Sequence, residues 1–264
     1  MTLGGMGRNT GITKIKDQWS LVNRAGQGVV ASEKMGSSDR ARIGSMKCVS
    51  DFKRARQPEQ REQRRQDILQ SAARLMAEKG FDQVSLNAIA RGAGVAKSNV
   101  YRYFESREEI FLTLLRQDWD DWLVQFEPAA KPLADSGDIQ KLSALIATSI
   151  AERPRMCELV SVLASVLEQN LSEQALLTFK TESMQLGGRI MAIVQSVLPT
   201  LPAHNLMAIG HTLFALIAGL WPLGNPPEPV QKVMSRPELA AFQLQFRPAL
   251  ELALNLMLKG ASNP

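Results

Sequence analysis

At 264 residues, 45% of them hydrophobic, with a formal net charge of +5, the chain has ample material for a buried core and is neither a polyelectrolyte nor a small stapled domain. Its two cysteines, Cys48 and Cys157, are too few for a disulfide scaffold and have no metal-ligand spacing, which fits a reducing cytoplasm. The charge is uneven: net +5 over residues 1–50, +5 over 51–107 and −5 over the remainder. A basic end on an acidic body suits a nucleic-acid reader with a separate second function, and a merely solvated surface is the alternative.

Residues 1–50 carry glycine, serine and scattered charge with no sustained apolar period, so they are expected to be disordered. They lack the apolar core of an export signal. Met46 stands just before the first organised residues and is a candidate translation start, which would leave the first 45 residues outside the natural protein. A basic arm following DNA is the functional alternative. The chain is accordingly divided into an extension (1–52), a first domain (53–106) and a second (107–264).

Lys53, Arg54, Arg56, Arg61, Arg64 and Arg65 open a basic stretch that becomes amphipathic, with Ile68, Leu69, Ala72, Leu75 and Met76 at helical spacing and Gly80 as the stop. The basic start is placed to run along a phosphate backbone. Phe81 and Val84 then lead as core residues into SLNAIARGAGVAKSNVYRYF (85–104), which reads as a helix-turn-helix. Ser85 caps the first helix, whose Leu86, Ile89 and Ala90 share a face, Gly92 and Gly94 break it, and Ala96–Phe104 forms the second. Gly94 supplies positive φ in the turn. Val95 and Val100 point into a small core, leaving Lys97, Ser98, Asn99, Tyr101, Arg102 and Tyr103 outward, a face suited to a DNA major groove. Tyr101 and Tyr103 are the only tyrosines of the chain, and their hydroxyls suit phosphates.

The run from Arg64 to Leu115, marked by AARLMAEKGF, a hydroxyl residue opening the second helix and IARGAGVAKSNVYRYFESREEI, resembles the N-terminal domain of TetR-family transcriptional repressors. The resemblance implies a short recognition helix in the major groove and DNA contacts from Lys97, Ser98, Asn99, Tyr101, Arg102, Tyr103 and Arg107, with Ser85 at the preceding helix start. Ala88 stands where members often have an acid and Asn99 where Thr is commoner, so the base preference does not carry over. By their chemistry, Arg102 suits guanine and Asn99 adenine, while Lys97 and Arg107 suit phosphates.

Beyond Phe104 every segment reads as helix, giving an all-α chain. Glu108–Phe126 is a long helix with Trp119, Trp122 and Phe126 near its end, fitting either plain core or a cavity wall. Glu127–Asp138 reads as a loop and Ile139–Ala151 as a helix. Pro154 opens a helix that carries Met156, Leu159, Val160, Leu163, Val166 and Leu167 and stops near Asn170. Ser172–Leu198 is a long helix with a bend available at Gly187 and Gly188. Leu206–Leu223 is the most apolar segment. At about eighteen residues it meets the lower bound for a membrane span, a reading set aside because no Lys/Arg asymmetry flanks it and prolines follow Trp221. The segment from Trp221 to Val230 reads as a connector. The last helix is expected to start at a capping box of Ser235 and Glu238 with Pro237 in its first turn, carry Leu239, Phe242, Phe246, Leu250, Leu254 and Met257, and kink at Pro248.

An enzyme needs a constellation that this chain does not offer. His204 and His211 lie two turns apart, too far for one metal, Cys157 with His211 is only a remote thiolate pair, and no phosphate-binding glycine loop occurs. The reading is a cytoplasmic homodimeric regulator of double-stranded DNA, most simply a repressor on a near-palindromic operator, with no cofactor, metal or membrane partner. The resemblance places a dimeric four-helix bundle on about 203–220 and 237–259. A small apolar effector is expected, with candidate contacts at Trp119, Trp122, Phe126, Met156, Cys157, Val160, Met184 and His211, the last as polar anchor. The alternative is a constitutive architectural DNA-binding protein.

Overall fold

The computed structural model describes residues 48–262, with side chains from Pro58 onward, and the expectations for residues 1–47 lie outside the described residues. Among the described residues all regular structure is helical. The helices are α1 (Cys48–Lys79), α2 (Leu86–Gly92), α3 (Lys97–Val100), α4 (Arg107–Ala130), α5 (Ile139–Ala151), α6 (Pro154–Val162), α7 (Glu173–Val197), α8 (Leu206–Gly224), α9 (Glu228–Met234) and α10 (Phe246–Ser262).

α1 presents Ile68, Leu69, Ala72, Leu75 and Met76 as one buried stripe and ends at Gly80, whose φ of 78° favours glycine. A single turn of 3-10 helix, Phe81–Gln83, carries the chain to Ser85, whose side chain accepts a hydrogen bond from the Ala88 N–H at 3.2 Å and so caps α2. α1 and α2 approach closely. Ser71 Oγ, buried on α1, donates to the Ile89 carbonyl at 2.9 Å, and a Cβ at Gly92 would lie 2.3 Å from that Oγ. Gly92 is thus the last residue of α2, required small by its neighbour, and the turn proper is left to Gly94, whose φ is 67°.

α4 starts at Ser106, which accepts from the Glu109 N–H at 3.1 Å, while Glu109 reaches back to the Glu105 N–H at 2.5 Å. The helix buries Ile110, Phe111, Leu114 and Leu115 near its start and Trp119, Trp122, Leu123 and Phe126 further on. It continues through Pro128 to Ala130, where a loop was expected. The missing proline N–H costs little here because Val124, four residues back, lies on the exposed side. α5 is capped by Asp138, which accepts from the Lys141 N–H at 2.9 Å.

In the body α10 packs on α5 and α8, and α6 lies between α4 and α8. α6 stops at Val162, earlier than its periodicity predicts. A turn and a 3-10 segment, Leu167–Asn170, follow, and both Leu163 and Leu167 remain buried. α7 buries Ile190, Met191, Val194 and Val197 of its C-terminal half, while Leu177 and Met184 of its N-terminal half are exposed. It runs unbroken through Gly187 and Gly188.

The C-terminal expectation is corrected in two places. Ser235 caps nothing: its hydroxyl donates to the Lys232 carbonyl at 2.8 Å, and the segment Pro237–Phe242 is a separate 3-10 helix. α10 begins only at Phe246, which puts Pro248 in its first turn, where no N–H is needed and no kink results. α8 is long and apolar enough to cross a membrane by length and composition, and it turns Ile209, Leu213 and Ile217 into the core.

The Ser71–Gly92 contact yields a stability test. Gly92→Ala should cost about 1–3 kcal/mol in urea unfolding, from steric overlap or loss of the Ser71 bond. In the Ser71→Ala/Gly92→Ala double variant the overlap is relieved, so the combined loss should be smaller than the sum of the single losses; strict additivity would contradict the contact.

Candidate nucleic-acid interface

α3 is shorter than the expected Ala96–Phe104 helix. Regular helix covers four residues, after which hydrogen-bonded turns carry the chain to Phe104, whose N–H donates to the Val100 carbonyl at 3.0 Å. Val100 and Phe104 are buried, and Val95 packs partly against the same core. Those anchors force the intervening side chains outward: Lys97, Ser98, Asn99, Tyr101 and Arg102 are exposed, and Tyr103 is half-buried. The arrangement gives a small rigid base with a polar, basic ridge, because burying every third or fourth residue leaves only one direction for the rest.

The ridge has a neighbour. An open cleft of ≈ 820 Å³ lies between α1 and the end of the ridge, lined by Gln60, Arg61, Gln63, Arg64, Asp67, Arg102 and Tyr103. Three guanidinium groups share it, and Arg65, one turn along, stacks over the Phe104 ring at 4.9 Å. Arg61 and Arg64 of α1 and Arg102 in the turn after α3 therefore line one surface.

Arg107 does not join that surface. Its Nη2 donates to the Phe81 carbonyl at 2.5 Å, its Nη1 lies 3.4 Å from Glu108 Oε1, and the guanidinium sits 4.2 Å from the centre of the Phe81 ring and 5.1 Å from that of Phe111. Its Nε is buried without a partner. The expected phosphate contact is corrected: an arginine committed to a carbonyl and two rings is an internal brace. Ser85 spends its hydroxyl on the α2 cap, although the residue itself is exposed.

Six of the eight candidate effector contacts are buried together in the body: Trp119, Trp122, Phe126, Met156, Cys157 and Val160. Trp119 meets Trp122 edge to face at 5.4 Å, Trp122 stacks on Phe126 at 4.5 Å, and the Trp122 indole donates to Ser149 Oγ at 3.0 Å. Met184 and His211 are instead exposed, apart from the six buried side chains, so the expected grouping of all eight is corrected. Burial pushes the Cys157 thiol up to about 12, with Asp118 adding to the rise, and its Sγ donates to the Ile150 carbonyl at 3.4 Å. That is an inert core thiol. Among the described residues no cluster of three or more His, Cys, Asp or Glu is arranged to hold a metal ion.

Two residues that periodicity did not single out tie the first domain to the body. Glu158 of α6 accepts a hydrogen bond from the Phe81 N–H at 2.8 Å, and Glu105 accepts one from the Ser172 N–H, at the cap of α7, at 2.7 Å. Burial raises the Glu158 carboxyl above the usual carboxylate range; the Phe81 N–H opposes the rise and Asp82 adds to it. Neither contact has a local sequence signal, since the partners are 77 and 67 residues apart.

Residues 68–114 match the family described as bacterial regulatory proteins, tetR family, and residues 116–264 match the tetracyclin repressor-like, C-terminal domain. The chain belongs to the TetR family. As a TetR-family protein it is a DNA-binding transcription regulator and not an enzyme. It is 26% identical over 131 residues to the fatty acid metabolism regulator protein of Bacillus subtilis, covering 50% of this chain and 60% of that protein. It is 28% identical over 159 residues to the HTH-type transcriptional regulator BetI of Agrobacterium fabrum, covering 60% and 75%. The match thus spans from somewhat over half to three quarters of the length of these two relatives. A crystal structure of the transcriptional regulator FadR from Bacillus subtilis in complex with stearoyl-CoA is 19% identical, with a TM-score of 0.46 and coverage of 74% of this chain and 98% of that one.

The different surroundings of Lys97 and Arg107 separate their effects on DNA binding. Lys97→Ala should lower the slope of log affinity against log salt by about 1, the loss of one phosphate contact. Arg107→Ala should leave that slope unchanged and instead lower the unfolding midpoint. A reduced slope for Arg107→Ala would return it to the DNA surface.

Proposed function

We propose that this TetR-family protein is a cytoplasmic, homodimeric repressor that binds a near-palindromic operator and is released by a small apolar effector. The observation that carries the reading is the ridge of α3 and the turn after it, where Lys97, Ser98, Asn99, Tyr101 and Arg102 are exposed around buried Val100 and Phe104. In this reading Asn99 and Arg102 address base edges, each bidentate pair being worth about 1–3 kcal/mol of discrimination. Ser98, Tyr101 and Tyr103 hydrogen-bond the backbone, Ser85 fixes the start of α2, and Lys97 with Arg61 and Arg64 neutralises phosphates. Residues 53–106 act as the reading head and 107–264 as the body.

Dimerisation is supported by the apolar surface left uncovered on α8 and α10. Met207, Ala208, Ala215 and Gly219 are exposed along α8, and Leu252 and Leu256 along α10. Only 17% of the most apolar window of Ala203–Gly224 is buried, which leaves a face that a second copy covers. Small residues along α8 permit close helix approach, and two-fold pairing gives a short recognition element twice the sequence to read. A lipid partner is disfavoured because the same helix buries Ile209, Leu213 and Ile217 against its own chain.

The effector side is centred on Trp119, Trp122 and Phe126 of α4 with Met156, Cys157 and Val160 of α6. A relative whose name ties it to fatty acid metabolism is in keeping with an apolar effector. Release works by population shift, which requires the effector to bind the non-reading arrangement more tightly than the reading one.

Selection of duplexes from a random pool tests the reading. A two-fold symmetric motif, weakened steeply by salt, is the expected result, with Asn99→Ala relaxing one base position per half-site and Leu252→Glu giving a monomer by sedimentation that no longer retains the motif. Salt-sensitive binding without any enriched motif would establish the architectural alternative instead.

A further inference from the structure

Two helices, α4 and α6, grip Phe81 of the first domain at its backbone. It is buried, and it follows Gly80 in the turn between α1 and α2. α6 holds its N–H through Glu158 Oε1 at 2.8 Å, and α4 holds its carbonyl through Arg107 Nη2 at 2.5 Å. The ring is fixed as well, meeting Phe111 of α4 at 5.0 Å and 65° and lying under the Arg107 guanidinium. The donor, the acceptor and the side chain of one residue are thus all committed to the body, which leaves that turn no freedom to pivot without breaking a partly buried polar contact. The remaining polar tether, Glu105 to Ser172, is exposed and correspondingly weak.

We propose that Glu158 and Arg107 are positioning residues for DNA recognition: by clamping the Phe81 peptide from both sides they fix the mounting angle of the reading head and hence the half-site spacing the dimer accepts. The inference rests on the dimeric reading above. Neither residue touches DNA. Their effect is on geometry, since a head that swings on its mount shifts its recognition ridge along the groove, whereas a fixed head matches one spacing only. Glu158 is the more informative of the two, because Arg107 also fills space between two rings and its removal perturbs the core.

The test uses the full chain and duplexes carrying the selected half-sites at the selected spacing and at spacings one and two base pairs longer or shorter. For the wild type, each one-base-pair change should weaken binding roughly tenfold or more, comparable to a mismatched base. Glu158→Ala should flatten that profile to less than about threefold per base pair while keeping its preference among single-base variants of the half-site. Glu158→Gln retains an oxygen acceptor for the Phe81 N–H without the cost of a half-buried charge, and should restore the sharp profile. A merely structural role would lower affinity equally at all spacings.

A Glu158→Ala profile that superimposes on the wild type would overturn the proposal, as would a Glu158→Gln profile as flat as that of alanine. If alanine fails to fold, exchange of the Phe81 amide decides in the wild type: slow exchange supports the clamp and loop-like exchange overturns it. Absence of any symmetric motif in the selection step would be a failure of the dimeric reading, and is recognised before the spacing series begins.

Discussion

The edge-to-face contact of Phe81 with Phe111 seats the turn between α1 and α2 on α4, and the placing of the first domain depends on it. The first domain buries only short stripes from α1, α2 and the α3 turn, too little to stand rigidly by itself. α4 resolves this by burying Phe111 against Phe81 near its start and Trp119, Trp122 and Phe126 further along. Arg107, at the start of α4, sits at the seam and stacks on both rings, which explains why an arginine next to the basic first domain is turned inward. A body that packs tightly on α4 therefore also orients the surface that meets DNA.

Local devices of the chain were legible in the sequence. The Ser85 cap, the positive φ of Gly94, the Gly80 stop and the opening of α6 at Pro154 each depend on residues within one turn of one another. The outward ridge was legible for the same reason, since Val95, Val100 and Phe104 set its inside. Long-range commitments were not. The fate of Arg107 depends on a carbonyl 26 residues away, and Glu158 looks like any surface acid on α6 until Phe81 is brought to it. His211 and Met184 were misplaced because apolar neighbours in sequence imply burial only when a single chain supplies the cover. The last helix was extended too far because Phe242 and Phe246 keep helical spacing across a break at 243–245, and that break decides where Pro248 falls.

The division of charge follows the division of labour. Arg61 and Arg64 of α1 meet Arg102, from the turn after α3, in one cleft beside the ridge, whereas the acidic body pairs charge between helices: Asp118 with Arg155 joins α4 to α6, and Arg116 with Glu182 and Arg189 with Glu127 join α4 to α7. The pairs to α7 are exposed and contribute little to stability, so α7 is held mainly by the buried Ile190, Met191, Val194 and Val197 of its C-terminal half. A body built this way has a wall of aromatic rings on α4, backed by Met156, Cys157 and Val160 of α6, and α4 runs back to the Phe81 seam.

The central claim is that two heads, mounted on one paired body, read DNA together. The most direct measurement is the affinity and stoichiometry of the full chain on a duplex with both half-sites and on one with a single half-site, at the same salt. Two chains per two-site duplex and a preference for it of about a hundredfold or more are expected. Equal affinities with one chain on each duplex would contradict it.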